Sequence, residues 1–409
     1  MRRILAASIA LLAMAACQDT PTDVSQAPAL AVIGKSEKVD FQLTILHHND
    51  GESDLLESSV NTDDFGGAAR FVTVVENLRR DAREGPTKPQ ARGSDGPNIG
   101  KRDALLINAG DIFLAGPEFQ ASLDKGPPHY DAAIYDLLAY DAAAIGNHEF
   151  DFGPEVFADF VESFSRNQVP FLSANLDFGG EARLAALEGG GRLASSVVVK
   201  KRGEYIGIVG ATTPNLSFIS SPGNVVVIQD VAGAVQAEVD ALTAQGIDKI
   251  VLVSHLQGLS EDEALVGKLR NVDVAIGGGG DELLANSDDV LIPGDASAGE
   301  YPRMVMDADG NDVPLATSAG GYLYVGRLII GFNEDGEVVL VDDESGPVRV
   351  AGGANFDAVA PNAEIQATVE APVQAYVDAL GADVIGFSEV ALDGRRSIPA
   401  SATDPTPVG

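Results

Sequence analysis

Short apolar runs alternate with amphipathic segments from residue 39 to about residue 350, and this alternation limits the possible folds more than any other feature. Apolar runs that predict strands lie at residues 41–48, 104–108, 142–145, 171–176, 249–255 and 272–278. Segments with helical spacing lie between or after them, at residues 67–83, 130–138, 154–165, 231–245 and 262–269. Two hairpins are predicted at residues 196–213 and 321–341. Strands that alternate with helices indicate an α/β fold.

Polar side chains follow several of these apolar strands directly. The strand ends carry Asn49–Asp50, Gly110–Asp111, Asn147–His148, His255 and Asp281. Ligands of α/β sheets bind beyond the carboxyl ends of the strands. We therefore expect these residues to form one site.

The segment HNDGESD places Asp50 and Glu52 two residues apart, where the first strand ends. In continued extended geometry their side chains would point to the same side, and two carboxylates suit a divalent cation. Asp111 follows a buried strand in the segment NAGDIF. Each signal by itself also fits an ordinary turn.

The segment GNHEFDFGPE is more specific, because it places Asn147, His148 and Asp151 together after a strand. Asn147 offers a neutral oxygen to a metal ion. His148 is a candidate to protonate a leaving group, and Asp151 could orient its imidazole and raise its pKa.

These motifs, in this order, resemble the calcineurin-type metallophosphoesterases, and the exported bacterial 5′-nucleotidase branch above all. The blocks of that family fall on Asp50–Glu52, Gly110–Asp111, Gly146–Glu149, His255 and Gly278–Asp281. The resemblance covers residues 41–350. It implies a four-layer α/β-β-α sandwich with two divalent metal ions that catalyse in-line phosphoester hydrolysis.

The resemblance also implies a role for each matching residue. One metal would be held by Asp50, Glu52, Asp111 and Asp281. The other would be held by Asp111, Asn147 and His255, so that Asp111 bridges the two. His148, steadied by Asp151, would face the substrate phosphate together with Asn147.

The sequence departs from the family at three histidine positions, which Glu52, Gly279 and Asp281 occupy. The first metal site would thereby become an all-oxygen site that favours Ca²⁺, Mg²⁺ or Mn²⁺ over Zn²⁺. The second site lacks a ligand at Gly279, so it would use water, bind its ion weakly or stay empty, with Glu282 as a candidate substitute. We favour a retuned site over an inactive one. The other histidines, His47, His48 and His129, are interpreted as structural or solvated.

The N-terminus has the pattern of an export signal. Arg2 and Arg3 precede an apolar run at residues 4–13, and small residues lead to Cys17, the only cysteine. The segment resembles a bacterial lipobox, so we expect cleavage before Cys17 and lipid attachment to it; an ordinary cleaved signal is the alternative. The predicted location is periplasmic or cell-surface, with membrane contact through the lipid anchor alone.

The sequence predicts four parts: a signal peptide at 1–16, a tether at 17–38, a catalytic domain at 39–355, and a linker with the truncated start of a C-terminal domain at 356–409. The net charge of −34 argues against a nucleic acid polymer as partner. The predicted substrates are small phosphomonoesters such as 5′-nucleotides. A broad-specificity alkaline phosphatase or phosphodiesterase, and a non-catalytic metal- or phosphate-binding lipoprotein, are the alternatives.

Overall fold

A computed structural model describes residues 38–60, 63–84 and 101–382 of the protein. The predicted signal peptide, residues 17–37 of the tether with Cys17, and residues 383–409 of the predicted C-terminal part lie outside these residues. In the described part of the chain, no helix combines the length and the apolar character that crossing a membrane requires.

The described residues form eighteen strands. They are β1 (Phe41–His48), β2 (Glu57–Val60), β3 (Asp63–Gly66), β4 (Lys101–Asn108), β5 (Ala142–Ala144), β6 (Phe171–Leu172), β7 (Leu176–Asp177), β8 (Leu193–Ala194), β9 (Ser196–Lys201), β10 (Glu204–Thr212), β11 (Val226–Val227), β12 (Ile250–His255), β13 (Val274–Ile276), β14 (Arg303–Met306), β15 (Asp312–Ala316), β16 (Tyr324–Phe332), β17 (Val338–Val341) and β18 (Gly346–Arg349).

The described residues also form ten α-helices, five of which the sequence predicts. They are α1 (Ala68–Glu84), α2 (Pro117–Lys125), α3 (Tyr130–Leu138), α4 (Gly153–Glu162), α5 (Ala182–Gly189), α6 (Leu216–Ile219), α7 (Val231–Ala244), α8 (Leu259–Val266), α9 (Ala363–Ile365) and α10 (Ala371–Ala382). A 3₁₀ turn covers His148–Phe150, and a π-helical segment, Gln366–Glu370, joins α9 to α10.

Two large sheets carry the fold. The first has the order β17-β16-β1-β4-β5-β6-β8, with β18 also paired to β16. The second has the order β14-β15-β13-β12-β10-β9. The central pairs β1–β4, β4–β5, β10–β12 and β12–β13 are parallel, so their carboxyl ends lie at a common edge of each sheet.

Side chains from the two sheets meet in one apolar core. Leu43 and Ile45 of β1 pack in the same cluster as Ile208 of β10 and Leu252 of β12. Leu46 of β1 belongs instead to a second cluster, which α1, α3 and α4 cover. This change of side follows from the two-residue period of a strand.

The outer face of the second sheet is covered by helices as well. Val235, Val239 and Leu242 of α7 join the cluster that contains the strands of this sheet. At Gly207 of β10 an added methyl group would lie 2.8 Å from Leu242, so the helix packs directly on the strand. The order of layers is therefore helices, sheet, sheet, helices, and the predicted α/β four-layer sandwich is confirmed.

The predicted elements are found with small shifts of their ends, except at residues 171–176. A single strand was predicted there, but β6 and β7 are separated by residues 173–175. Asn175 leaves the strand pattern because its side chain binds the backbone of Thr212, with Oδ1 accepting from the amide (2.8 Å) and Nδ2 donating to the carbonyl (2.8 Å). Such a side-chain bond competes with strand pairing.

The helical segment after residue 355 packs on the body of the molecule. Ile365, Val369 and Val373 are fully buried in the same cluster as α1 and α3. Glu370 also accepts a hydrogen bond from the amide of Ala69 at the start of α1 (2.8 Å). The apolar core thus extends beyond residue 355.

Candidate metal and catalytic site

The polar strand ends meet where the two sheets face each other. The amide of Gly279, after β13, donates to Asp50 Oδ2, after β1 (3.0 Å). His255, at the end of β12, donates from Nδ1 to the carbonyl of Ala109, after β4 (2.7 Å). Residues from four strands and both sheets therefore form a single site.

The backbone at this site has a conformation that the sequence pattern did not predict. Asp50, Glu52, Ser53 and Asp111 all have positive φ angles, of 49°, 49°, 55° and 52°. These angles show that the expected extended geometry of Asp50 and Glu52 is wrong. Residues other than glycine rarely adopt this left-handed region. Backbone strain of this kind often accompanies functional sites.

Hydrogen bonds between the two strand-end loops maintain this conformation. The amide of Asp50 donates to the carbonyl of Gly110 (3.0 Å), and the amide of Glu52 donates to the carbonyl of Asp111 (3.0 Å). Glycine is required at position 146, where a methyl group would lie 2.2 Å from Asp111 Oδ1. The motif glycine thus allows the backbone to approach the Asp111 carboxylate.

One half of the site is buried and consists of Asp50, Asp111 and His255. One ligand atom from each lies within 4.8 Å of the others. His255 Nε2 lies 2.9 Å from Asp111 Oδ2 and 4.0 Å from Asp50 Oδ1. Nε2 makes no hydrogen bond with either carboxylate and has no hydrogen-bond partner among the described residues.

This buried half fits a divalent cation. Because Nδ1 of His255 donates to Ala109, the neutral form of the ring would present its Nε2 lone pair to the two carboxylates. Burial lowers the pKa of His255, but the nearby charges of Asp111, Asp50 and Glu149 together outweigh it and raise the pKa to about 10. Burial also raises the pKa of Asp50 to about 7. Both shifts favour the uptake of a proton by these groups, and a metal ion can supply the positive charge in place of that proton.

The other half is more open and consists of Glu52, Asp111 and His148, again within 4.8 Å. His148 Nε2 lies 3.9 Å from Asp111 Oδ2 and 4.0 Å from Glu52 Oε1. Its backbone amide donates to Asp111 Oδ1 (2.8 Å). The Asp111 carboxylate therefore belongs to both halves.

His148 and Asp151 form a dyad. Their Nδ1 and Oδ2 atoms lie 2.6 Å apart, and Ser220 Oγ donates to the other carboxylate oxygen of Asp151 (3.1 Å). Burial lowers the pKa of His148, but the hydrogen bond with Asp151 and the nearby charge of Asp111 outweigh this and raise the pKa to about 9. The imidazole thus holds a proton that Nε2 can present to the site.

Asn147 is buried next to the dyad. Its Oδ1 accepts a hydrogen bond from Gln257 Nε2 (2.9 Å), which orients the amide. Gln257 lies two residues after His255. The site residues of β5 and β12 are thus connected by side chains.

Asp281 and Gly279 occupy the remaining predicted positions. Asp281 is exposed and lies beside Asp50 across Gly320, where an added methyl group would be 3.2 Å from Asp281 Oδ1 and 3.0 Å from the Asp50 carbonyl. At Gly279, with φ of 88°, a methyl group would lie 1.6 Å from the Leu256 carbonyl. This backbone leaves no room for a histidine at position 279.

The predicted substitute, Glu282, binds the start of a helix. Its Oε1 accepts from the amide of Leu259 at the start of α8 (3.3 Å). A carboxylate at a helix N-terminus is stabilised by the free amides there.

Sequence reasoning assigned no role of their own to two supporting residues, Glu149 and Asn49. Glu149 is fully buried and accepts from the amides of Gly146 (2.7 Å) and Ile112 (2.7 Å), so it joins the loops that carry Asn147 and Asp111. Asn49 donates to Asp50 Oδ2 (2.5 Å) and to the Ser318 carbonyl (2.8 Å). Both residues stand inside the quoted motifs, which was the available signal.

A cavity of about 450 Å³ opens on the Glu52 side of the site. Carboxylates from Glu52, Asp54, Glu118 and Asp281 line it, and none of its described lining residues is basic. An anionic substrate would be repelled here unless cations were bound. The charge of the cavity therefore agrees with the fit of the buried half to a metal ion.

The three remaining histidines lie away from these groups. His47 Nε2 bonds Tyr301 Oη (2.8 Å), His48 Nε2 bonds Tyr140 Oη (2.7 Å), and His129 Nδ1 bonds Ser163 Oγ (3.2 Å). All three are buried. They are packing residues of the core, in agreement with the structural interpretation.

Comparison with known proteins agrees with this geometry. The chain is 34% identical over 367 residues to the 5′-nucleotidase of Diplobatis ommata, and 33% identical over 309 residues to that of Homo sapiens. The chain is a homologue of the 5′-nucleotidases. The alignments cover 87% and 73% of this chain but 55% and 48% of those proteins, so the chain spans about half the length of these curated relatives. No protein-family model matches the chain.

Solved structures place this 5′-nucleotidase homologue in the calcineurin-like phosphoesterase fold. The 5′-nucleotidase precursor of Thermus thermophilus has a TM-score of 0.70 at 30% identity, over 88% of this chain and 63% of that one. A calcineurin-like phosphoesterase of Bacillus subtilis has a TM-score of 0.58 at 16% identity, over 83% of this chain and 99% of that one. The second likeness concerns the fold alone. The resemblance inferred from the motifs is confirmed.

Proposed function

We propose that this protein is a metal-dependent phosphoesterase that hydrolyses small phosphomonoesters such as 5′-nucleotides. The observation that carries the proposal is the Asp111 carboxylate, which lies both with Asp50 and His255 and with Glu52 and His148. The relatives named above are 5′-nucleotidases, which supports nucleotides as the substrate class.

The proposed ligands form two sets that share Asp111, and the first set draws on both halves of the site. Asp50, Glu52, Asp111 and Asp281 would hold one ion, and Asp111, Asn147 and His255 would hold the other. Divalent ions bound there would lower the pKa of an attacking water and neutralise the phosphoryl oxygens. We propose Ca²⁺, Mg²⁺ or Mn²⁺ for the first ion because its ligands are all oxygens. His255 Nε2 lies 4.0 Å from Asp50 Oδ1, so a nitrogen atom is close to this all-oxygen set. Metal analysis of the purified protein should therefore test this assignment.

The chain's own residues would handle the leaving group. Asp151 holds His148 by Nδ1 and, with Asp111, favours the imidazolium form. Nε2 would donate its proton to the ester oxygen as the P–O bond breaks, so that an alcohol departs rather than an alkoxide. Asn147 and His148 would contact the phosphate. A protein that only binds metal or phosphate has no use for this dyad.

The deciding experiment is phosphate release from AMP and p-nitrophenyl phosphate by the purified protein, after metal removal and with added Mn²⁺, Ca²⁺ or Mg²⁺. Turnover that depends on the added ion is the expected result. Absence of turnover with every divalent ion would reject the proposal. Faster cleavage of bis-p-nitrophenyl phosphate than of the monoester would instead indicate a phosphodiesterase, and equal rates with AMP and alkyl phosphates a broad-specificity phosphatase.

We also propose that the protein is exported and anchored to a bacterial membrane by a lipid on Cys17. The support is the basic and apolar N-terminal pattern, which ends at the only cysteine of the chain. Labelling with a fatty-acid analogue should modify the wild type and not the Cys17→Ser variant. Equal labelling of both would contradict the anchor.

A further inference from the structure

The strained loop Asp50–Ser53 presents two of the proposed ligands, and its conformation needs support from outside the loop. Asp50, Glu52 and Ser53 have φ angles of 49°, 49° and 55°. The metal-facing side of the loop consists of carboxylates that repel each other. Backbone hydrogen bonds to the Gly110 and Asp111 carbonyls hold one side of the loop. Further support can act from the other side.

The opposite side of the loop rests on a buried polar pair, Asp131 and Tyr322. Asp131 Oδ2 accepts from Ser53 Oγ (2.9 Å), and Asp131 Oδ1 accepts from Tyr322 Oη (3.3 Å). Both residues are almost completely buried. Asp131 lies in the first turn of α3, and Tyr322 lies just before β16, so neither belongs to the strand ends that form the site.

Tyr322 also limits the loop sterically. A methyl group on Gly51 would lie 3.3 Å from Cζ and 3.4 Å from Oη of the Tyr322 ring. Glu52 thus stands between Gly51, which packs on this ring, and Ser53, whose hydroxyl binds Asp131. Both flanks of the ligand residue are held by the same pair.

We infer that Asp131 and Tyr322 are positioning residues, which hold the Asp50–Ser53 loop in the left-handed conformation that directs Glu52 and Asp50 toward the metal. The inference rests on the proposed function. A buried carboxylate that accepts hydrogen bonds from two hydroxyl groups can fix a loop, because leaving those groups unpaired would be costly. Partners of this kind commonly change metal affinity 10- to 100-fold.

The test is Mn²⁺ affinity of the metal-free full chain, measured by calorimetry, with thermal unfolding of each variant. Asp131→Ala, Ser53→Ala and Tyr322→Phe should each weaken Mn²⁺ binding, by about 10-fold or more for Asp131→Ala. In a double-mutant cycle the effects of Asp131→Ala and Ser53→Ala should not add fully, because both variants remove the same Ser53–Asp131 hydrogen bond.

Asp136→Ala is the matched control, since Asp136 is on the same helix and accepts from the amides of Ser165, Arg166 and Asn167, away from the loop. It should lower the melting temperature and leave Mn²⁺ affinity unchanged. If Asp131→Ala does not fold, Ser53→Ala and Tyr322→Phe decide the matter. Wild-type affinity in those variants would overturn the inference even if the enzyme is active.

The inference and the proposed function can fail separately. Mn²⁺ binding by the wild type without turnover would reject the proposed function, and the affinities of the variants would still decide the inference. No Mn²⁺ binding by the wild type would overturn both.

Discussion

The two halves of the site differ in how far the fold prepares them. The Asp50–Asp111–His255 half is buried, and its side chains are oriented by Asn49, by the Gly279 amide and by the Ala109 carbonyl. The Glu52–Asp111–His148 half is open, with about a quarter of the Glu52 and His148 side chains exposed (29% and 23%). The difference indicates that the buried half is built to hold an ion, whereas the open half is accessible to substrate.

Asp111 belongs to both halves, so Asp111→Asn should have the largest effect. Loss of one negative charge from both groups should lower kcat/KM for AMP by about 10³-fold, because it weakens the charge that both ions need. The measurement is steady-state kinetics together with bound metal per chain. Asp307→Asn is the control, since that carboxylate only caps a turn through the amides of Asp309 and Asn311. Activity within a few-fold of wild type in Asp111→Asn would refute the shared-ligand arrangement.

His148→Ala should damage the open half alone. We expect kcat to fall by about 10²- to 10³-fold, because the variant removes the proton donor. The metal content should be unchanged, because the buried half stays intact. Ser220→Ala removes only the hydroxyl that supports Asp151 and should cost less than about 10-fold. Full activity in His148→Ala, or loss of metal equal to that in Asp111→Asn, would remove the distinction between the halves.

Gly279→Ala should damage the buried half through the backbone. A methyl group there meets the Leu256 carbonyl at 1.6 Å, and φ is 88°. The free energy of unfolding should fall by about 3 kcal/mol, and Mn²⁺ affinity should fall with it because the amide that binds Asp50 must move. Gly246→Ala is matched in φ (82°) but has open space around the methyl position, so it should cost only about 1 kcal/mol. If chemical denaturation gave the same loss of unfolding free energy for Gly279→Ala and Gly246→Ala, the Leu256 contact would be unimportant.

Asp131 should show a smaller effect, as a pH dependence of stability. Burial raises the pKa of Asp131 to about 7 from an ordinary value of 3.8. The folded state therefore holds a proton that the unfolded state has released, and stability falls as pH rises from about 4 to about 7. Between pH 6 and pH 8 the free energy of unfolding should fall by about 1 kcal/mol more in the wild type than in Asp131→Asn. Parallel pH profiles in urea denaturation would contradict this assignment.

Much of the architecture could be predicted from local sequence. The order of strands and helices, and the adjacency of Asp50, Asp111 and Asn147 to strand ends, depend on periodicities that a few neighbouring residues set. The break after β6 was missed because Asn175 bonds Thr212, which is 37 residues away. The role of Glu149 was missed for the same reason, since its partner Ile112 is remote in the chain.

By itself, the sequence determined the α/β alternation and the chemical groups available at the strand ends, because both follow from residue type and short-range spacing. Only the tertiary structure decided how those groups are combined. It placed Asp50 and Asp111 in left-handed backbone, brought His255 Nε2 to the buried carboxylates, and left no space for a side chain at position 279. These features arise from contacts between segments that are distant in the chain, and their energies are not encoded in any one segment.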